Sequence, residues 1–211
     1  MMKIACLSES SSDEAAVSIL VQGILGGPVE LSEPPLRANG WPHIRQVLPA
    51  TIRGLHYTTD VEALLVVADS NNTRLTADEP PRGLQTSEEP RLAQLHRIAT
   101  ETSATLRPVA TRPALRIGVG LAVPAIEAWL VCGVDPNVSE GAWVRGLRAG
   151  RLPYTKSELK AAVYGSDRAG RAHRTARAVE EARRLVADID SLERRFAAGF
   201  GALARAVRAW R

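Results

Sequence analysis

Three acidic residues each follow an apolar run in the sequence. Glu9 comes after the run at 3–7 in "KIACLSESSSDEA", Asp69 comes directly after "EALLVVA", and Glu127 lies one turn beyond "RIGVGLAV". If the three runs are parallel strands, their carboxyl ends meet at one edge of a sheet, where open α/β sheets bind ligands. Carboxylates gathered without basic partners repel each other, and Mg²⁺, which prefers oxygen ligands, relieves that repulsion. The pattern therefore predicts a metal site.

Each of these acids also has an ordinary structural explanation. Glu9 can be a loop residue that leads into a helix cap, and Asp69 can be a turn or cap residue of the kind that often follows a strand. Glu127 can be an early helix residue, where the helix dipole favours an acid. The metal hypothesis depends on the coincidence of three strand ends rather than on any single residue.

Other catalytic chemistries lack their residues in this sequence. The chain has neither a G-x-x-x-x-G-K-[ST] phosphate loop nor a G-x-G-x-x-G after a strand, and it has no G-x-S-x-G turn. The four histidines are scattered and the two cysteines are isolated, which disfavours a structural zinc site. An aromatic content of 4% argues against stacking platforms for single-stranded nucleic acid, which need several aromatic residues.

The elements that must position the acids alternate between strand and helix. Apolar runs predict strands at 3–7, 29–31, 62–68 and 116–123, and the continuous apolar character of the last two is typical of parallel strands covered on both faces. Ser11 to Glu14 fits a capping box at the start of the first helix. The first predicted helix follows the Ser11 cap and ends at Gly26-Gly27. The other predicted helices between the strands are 44–55 with a break near Pro49, 91–102 and a segment after Pro124, with loops at 33–42 and 77–90.

Beyond residue 140 the pattern is helical throughout. Helices are predicted near 141–148, 157–164, 169–187 and 191–210. We therefore predict an α/β fold, with a mostly parallel sheet flanked by helices in residues 1–139. Residues 140–211 are predicted to form a basic α-helical extension packed on it.

The net charge of +4 is unevenly distributed. Residues 140–211 hold 16 Lys and Arg against 8 Asp and Glu, whereas residues 1–139 hold 11 against 15. This asymmetry is compatible with a metal centre beside a phosphate-binding surface, and equally with ordinary solvated helix faces.

The cysteines and the hydropathy of the chain bear on its location. Cys6 and Cys132 both lie in apolar runs, which predicts two buried free thiols in a reducing compartment. We see neither a leader-like segment nor an apolar stretch long enough for a membrane span. A cytoplasmic protein without membrane contact is the expectation.

Several motifs together resemble a known group of proteins. "LSESSSDEAAVSIL", "LLVVADSNNT", "VPAIEAWLV" and "YTKSELKAAVYG" are similar to a bacterial Toprim-like family of unknown function, related to the overcoming-lysogenisation-defect nucleases and often encoded beside ABC-type ATPases. The Pro-x-x-Glu-Ala-Trp-Leu match at 124–130 is the most specific piece. Two positions depart from the family pattern: Ser10 stands where Gly is usual, and Asn71 stands where the second acid of D-x-D is usual.

The resemblance implies a Toprim-like fold and a Mg²⁺- or Mn²⁺-dependent nuclease that acts on DNA phosphodiesters in phage defence or DNA processing, with an ATPase partner. Asp69 and Glu127 would bind the metal, with the carbonyl oxygen of Asn71 as an uncharged ligand. Glu9 would be a ligand or the general base. Lys156 and Lys160 would neutralise phosphate, the alternative being solvated helix-surface lysines.

Two other functions and several details stay open. The Asn71 departure favours a catalytically degenerate subunit that serves as a DNA- or protein-binding module. A phosphotransfer enzyme for small molecules would use the same acidic edge. The choice of DNA or RNA and the presence of a homo-oligomer are not decided by the sequence.

A basic helix predicted within 166–184 is the second candidate for nucleic-acid contact. Its arginines are expected on one broad side, where guanidinium groups match phosphate oxygens, and its cap is expected at Ser166 or Asp167. The alternative is intramolecular pairing of these arginines with Glu180 and Glu181. The arginines are Arg168, Arg171, Arg174 and Arg177, and the residues expected to pack inward are Ala172, Ala176, Val179 and Ala182.

Overall fold

A parallel β-sheet forms the centre of the protein. The computed structural model describes residues 1–71, 73, 89–110 and 112–211. Its strands are β1 (Met2–Ser8), β2 (Val29–Leu31), β3 (Leu36–Arg37), β4 (Ala63–Asp69) and β5 (Arg116–Ala122). The order across the sheet is β2–β1–β4–β5, with β3 also paired to β1, and every pairing in the described part is parallel. The α/β class and the predicted sheet are confirmed.

Helices cover both faces of this sheet. In the described part they are α1 (Ser11–Leu25), α2 (Gly40–Thr58), α3 (Arg91–Ala104), α4 (Ile126–Leu130), α5 (Glu140–Arg148), α6 (Lys156–Tyr164), α7 (Arg171–Val186), α8 (Ile189–Arg195) and α9 (Gly199–Arg208). Helices α1 and α9 contact each other on one side of the sheet, and α2 and α3 contact each other on the opposite side. Strand β4 is apolar from Ala63 to Ala68, as is typical of a parallel strand with helices on both faces.

The glycines of β5 allow a helix to lie close to the strand. A Cβ on Gly118 would come within 3.0 Å of Trp210, and a Cβ on Gly120 would come within 3.2 Å of Leu203. Both contacts belong to α9 and the residues just after it. The "GVG" of this strand therefore serves packing rather than phosphate binding.

Two predicted features are wrong for identifiable reasons, and a third lies mostly outside the described residues. Pro49 lies inside α2 without ending it, because Leu48 and Ile52 on either side are both fully buried and hold the helix against the core. The predicted loop at 33–42 contains β3 and the first turn of α2. Most of the loop predicted at 77–90 lies outside the described residues.

The last predicted helix is two helices, α8 and α9. The break is fixed by Glu140, a buried acid whose carboxylate accepts hydrogen bonds from the backbone N–H groups of Ala198 at 2.8 Å and Gly199 at 2.6 Å. A Cβ on Gly199 would come within 1.9 Å of the carbonyl oxygen of Leu121, so glycine allows α9 to begin against β5. No local pattern in 191–210 reveals a cap that comes from about 60 residues earlier.

The helical C-terminal part shares its core with the sheet. Helix α7 packs along α1, and α9 packs along β5. One hydrophobic cluster runs from Ile4 to Trp210 and includes residues from both parts. The division at 139/140 stays a prediction. Cys6 and Cys132 are buried free thiols, as predicted. Within the described ranges, no helix has both the length and the apolar character needed to cross a membrane.

Candidate active site at the carboxyl edge of the sheet

The strand order creates a crevice between the ends of β1 and β4. From β1 the chain passes through α1 to β2 on one side, and from β3 it passes through α2 to β4 on the other side. The connections therefore diverge at the carboxyl ends of β1 and β4, which is the position where open α/β sheets bind ligands. Glu9 follows β1 directly, and Asp69 is the last residue of β4.

Backbone hydrogen bonds lock the end of β4 to the start of α4. The N–H of Ser70 donates to the carbonyl of Ala122 at 2.8 Å, and the N–H of Asn71 donates to the carbonyl of Pro124 at 2.9 Å. The carboxylate of Asp69 accepts a hydrogen bond from the N–H of Ile126 at 3.2 Å. This connection brings Glu127, which is buried, to the same edge as Asp69.

Asn71 has a conformation that suits its residue type. Its φ angle is 53°, in the left-handed region that Asn tolerates better than most residues. The tight turn after β4 therefore needs Asn, Gly or Asp at this position. This backbone requirement gives a structural reason for Asn beside any role of its amide oxygen.

A fourth carboxylate, Asp13, joins this edge, and the sequence analysis did not select it. The helix cap is Ser10 rather than Ser11, because the Ser10 hydroxyl accepts the hydrogen bond from the N–H of Asp13 at 3.3 Å. Asp13 therefore lies in the first turn of α1, and this N-terminal end of the helix is beside the carboxyl end of β1. The position of Asp13 four residues after Glu9 is the sequence signal for this carboxylate, but the same stretch also fits a capping box.

The four acids perturb one another. Burial and then the negative charge of Asp69 raise the pKa of Glu9, of Asp13 and of Glu127. For Asp13 the pKa rises to about 7. Burial also raises the pKa of Asp69, although Lys156 opposes that rise. These shifts have the physical signature of carboxylates crowded into a poorly solvated site.

Helix α6 presents a row of donors to these acids. The Nζ of Lys156 lies 2.6 Å from Oδ2 of Asp69. Lys160 is one turn further along the same face, and its charge counters the pKa rise that burial and Asp69 cause in Glu127. Tyr164 follows after another turn, and its buried hydroxyl lies beside Ser12 and Glu127. Burial, Glu127 and then Asp13 raise the pKa of Tyr164, so this hydroxyl stays protonated.

The start of α6 is fixed by a capping box. The hydroxyl of Thr155 accepts from the N–H of Glu158, and the carboxylate of Glu158 accepts from the N–H of Thr155 at 2.6 Å. Leu159 and Val163 bury the rest of the inner face. The helix is therefore held in register, and Lys156 is directed at Asp69.

A second cationic group reaches the site from the opposite side. Nη1 of Arg91, at the start of α3, donates to the backbone carbonyl of Asp69 at 2.9 Å. Its guanidinium carbon lies 4.9 Å from the ring centroid of Trp41, in the first turn of α2. Arg37, at the end of β3, forms an ion pair with Glu14.

The outcome for the predicted metal ligands is mixed. Glu9, Asp69, Glu127 and the backbone of Asn71 lie at one sheet edge, and Lys156 and Lys160 face the same edge. Within residues 1–71, 73, 89–110 and 112–211, however, no three His, Cys, Asp or Glu side chains are grouped closely enough to hold a metal ion. In this arrangement a lysine ammonium, rather than a shared cation, is the partner of Asp69.

The predicted arrangement of the basic helix is partly wrong. Helix α7 begins at Arg171 with Gly170 as its cap, not Ser166 or Asp167, and Arg168 lies before the helix. Ala172 and Ala176 are exposed. The residues of α7 that are buried are Ala178, Ala182 and Leu185.

The four arginines consequently do not form one surface. Arg168 and Arg171 are exposed, whereas Arg174 is half-buried with an Nε that has no hydrogen-bond partner in the described part. Arg177 donates to Glu180, to Glu181 and to the carbonyl of Val163. The alternative of intramolecular pairing therefore holds for Arg177. Only Arg168 and Arg171 remain as an open basic surface among these four.

Comparison with known proteins adds no relative to this description. Searches against protein-family models, curated proteins and solved structures found no match. The resemblance to the Toprim-like family therefore stays an expectation that depends on the motifs alone. The function has to be argued from the site.

Proposed function

We propose that this protein is a Mg²⁺- or Mn²⁺-dependent nuclease that hydrolyses DNA phosphodiesters at the acidic edge of its sheet. The observation that carries the proposal is the convergence of four carboxylates with two lysines at the carboxyl ends of β1 and β4. Carboxylates that hold a divalent cation, beside lysines that attract phosphate, are the components of metal-assisted phosphodiester hydrolysis.

The donor types suit a hard divalent cation, although Glu9, Asp69 and Glu127 have to come closer together than they lie in the described structure to share one. The carboxylates supply oxygen ligands, which Mg²⁺ and Mn²⁺ prefer. Oε1 of Glu9 is buried and has no hydrogen-bond partner among the described residues, so it is an acceptor without a donor. Burial, and then the negative charge of Asp69, raise the pKa of Glu9, Asp13 and Glu127, and a bound cation would oppose these shifts.

Asp69 and Glu127 would hold the metal, with Asn71 as an uncharged ligand, and Glu9 would be either a further ligand or the general base. When bound, the metal would activate water and stabilise negative charge on the scissile phosphate. Binding requires Asp69 to exchange the ammonium of Lys156 for the cation. Lys156, once released from Asp69, and Lys160 would then be able to bind a phosphate of the DNA.

Glu9 is the best candidate for the proton acceptor. Burial raises its pKa toward neutrality, which improves a carboxylate as a general base. The cations whose charges act on Glu9 are Lys156 and Arg91. Lys160 and the protonated hydroxyl of Tyr164 act on Glu127 instead. The chain itself thus offers a candidate base and several donors at this edge of the sheet.

A second candidate is a non-catalytic subunit that binds DNA or a protein. The Lys156–Asp69 ion pair favours it, because a lysine already neutralises the central acid, and Asn71 removes one charge from the ligand set. In this alternative the crevice is a fixed polar scaffold, and the basic C-terminal part is the docking surface.

The family resemblance extends the proposal to the surroundings of the enzyme. We propose a Toprim-like arrangement, an ABC-type ATPase partner, and a role in phage defence or DNA processing in the cytoplasm. The charge asymmetry between the two parts of the chain is compatible with binding to nucleic acid.

A cleavage assay tests the proposed function. Supercoiled plasmid and linear duplex are incubated with the full chain in Mg²⁺, in Mn²⁺ and in EDTA, with and without an ATPase. Nicking that needs metal and disappears in Asp69→Ala supports a nuclease. Asp60→Ala is the matched control, since Asp60 is an exposed carboxylate near the opposite end of β4, paired with Lys3 at 2.8 Å. Metal-dependent activity that survives Asp69→Ala contradicts the assignment.

A further inference from the structure

Trp41 differs from the other tryptophans of the protein in its surroundings. The chain has four tryptophans, and Trp129, Trp143 and Trp210 are all buried. Trp41 is half-buried. It is therefore the tryptophan whose ring is accessible in part to a ligand.

The topology brings Trp41 to the acidic edge. Strand β3 pairs with the last residues of β1, with Leu36 opposite Leu7 and Arg37 opposite Ser8. Helix α2 begins three residues after β3, so its first turn lies at the carboxyl edge where Glu9 follows β1. The position of Trp41 follows from the parallel register rather than from any loop.

Arg91 connects this ring to the candidate active site. Its guanidinium carbon stands 4.9 Å above the centroid of the Trp41 ring, and its Nη1 is hydrogen-bonded to the carbonyl of Asp69 at 2.9 Å. The stacked indole and guanidinium therefore lie directly beside one of the four carboxylates. Because this hydrogen bond fixes the guanidinium, the stacked pair of Trp41 and Arg91 has a defined position beside Asp69.

Indole rings and guanidinium planes share one recognition property. Both stack on nucleobases, and a base stacked on an aromatic side chain is worth about 1–3 kcal/mol. Arginine also carries a permanent charge that attracts the phosphate next to the base. A small phosphate ester without a ring would gain nothing from the indole.

We propose that Trp41 and Arg91 form a subsite in which an unpaired nucleobase, next to the scissile phosphate, stacks on the indole–guanidinium pair. This inference rests on the proposed function and narrows its substrate. The base must be out of its duplex to reach the pair, so the preferred DNA is a single strand, an overhang or a flap rather than a fully paired duplex.

A binding assay tests the subsite without requiring cleavage. The anisotropy of a short fluorescein-labelled DNA single strand is measured with the full chain in Ca²⁺, and compared with a strand of equal length that has abasic sites throughout. The parent protein is expected to bind the base-containing strand about tenfold more tightly. Trp41→Leu should lose that preference while still binding both strands through their phosphates.

The other end of α2 supplies the matched control. Tyr57 is an exposed aromatic residue in the last turn of the same helix, at the opposite edge of the sheet. Tyr57→Leu removes a ring of similar size and should leave the preference for bases unchanged. Arg91→Lys is the second variant, in case Trp41→Leu does not fold. It keeps the charge but not the planar group, and it should reduce the base preference more than the affinity for the abasic strand.

The outcomes separate failure of the subsite from failure of the proposed function. Equal binding of the two strands by the parent protein, or a base preference that survives in both Trp41→Leu and Arg91→Lys, overturns the subsite and leaves a nuclease that contacts phosphates alone. Absence of binding to either strand overturns the subsite and the nucleic-acid function together.

Discussion

The Nζ of Lys156 lies 2.6 Å from Oδ2 of Asp69, and this ion pair joins residues 87 positions apart in the chain. It connects the helical C-terminal part to the end of the central strand, and it is mostly shielded, with the two side chains 34% and 19% exposed. The basic C-terminal part, residues 140–211, therefore contributes to the candidate active site as well as to the surface of the protein. One of its lysines neutralises the acid at the centre of the candidate active site.

Lys156→Met is expected to destabilise the protein at neutral pH. The variant leaves the carboxylate of Asp69 half-buried without its cation, and burial then raises the pKa of Asp69 with less opposition. We expect a loss of about 1 kcal/mol in the free energy of unfolding at pH 8, since the pair is partly screened by solvent. The loss should shrink as the pH falls and Asp69 becomes protonated. Urea unfolding at several pH values measures it.

Lys3→Met is the control for that measurement. Lys3 pairs with Asp60, whose side chain is 75% exposed, and such surface pairs contribute little. A Lys156→Met protein that is as stable as the parent at pH 8 would show that the Lys156–Asp69 ion pair contributes nothing to the free energy of unfolding.

Asp13 is expected to make the stability of the protein depend on pH. Its pKa is about 7 in the folded chain against an ordinary value of about 3.9, so the folded chain binds the extra proton between these values. Stability therefore falls as the pH rises from about 4 to about 7. Asp13→Asn should be more stable than the parent by about 1–2 kcal/mol at pH 8, and the difference should vanish below pH 4.

Thermal or urea unfolding of the parent and of Asp13→Asn across that range measures the effect. Asp190→Asn serves as the control, because Asp190 is 75% exposed and lies near Arg208 on another part of the surface. A difference between Asp13→Asn and the parent that does not change with pH would contradict a titrating buried acid.

The exposed arginines before and at the start of α7 are expected to contribute to DNA affinity. Replacing both Arg168 and Arg171 with alanine should weaken binding to a random duplex. It should also lower the slope of log affinity against log salt concentration by about 2 if each arginine contacts one phosphate. Arg177→Ala should leave the slope unchanged, because that guanidinium is engaged by Glu180, Glu181 and the Val163 carbonyl. An unaltered slope in the double variant would show that Arg168 and Arg171 do not contact DNA phosphates.

Gly199→Ala is expected to disturb the contact between α9 and β5. The added Cβ would approach the carbonyl oxygen of Leu121 to 1.9 Å, so the helix must shift away from the strand. We expect a loss of about 3 kcal/mol in the free energy of unfolding. Gly54→Ala, inside α2 with nothing within 4 Å of the new Cβ, should be neutral or slightly stabilising. Equal stabilities of the two variants would contradict the close packing.

Much of the sheet could be predicted from local pattern, because buried parallel strands are continuous apolar runs. Strands β4 and β5 can be recognised in the sequence in this way. Their parallel pairing then places Asp69 beside the start of α4. Glu9 and Glu127 reach the same edge by the same argument. The Toprim-like arrangement itself depends on the motifs and remains a prediction.

The features that could not be predicted from the sequence depend on contacts between residues far apart in the chain. The break before α9 is made by Glu140, and the neutralisation of Asp69 is made by Lys156, so neither is visible in a local window. The acid of Asp13 carries the signature of a helix start, which conceals its contribution to the site. For α7, a run of alanines does not reveal which of them faces the neighbouring helix, and only α1 decides that Ala178 and Ala182 are inside.

Calorimetric titration of the full chain with Mn²⁺ measures whether the acidic edge of the sheet binds a metal ion. We expect one site, which is lost in Asp69→Asn, retained in Asp60→Asn and tightened in Asn71→Asp, since that change adds a charge to the ligand set. A parent protein that takes up no Mn²⁺, or an Asp69→Asn protein that binds it as tightly as the parent, would contradict a metal-dependent site at this edge of the sheet.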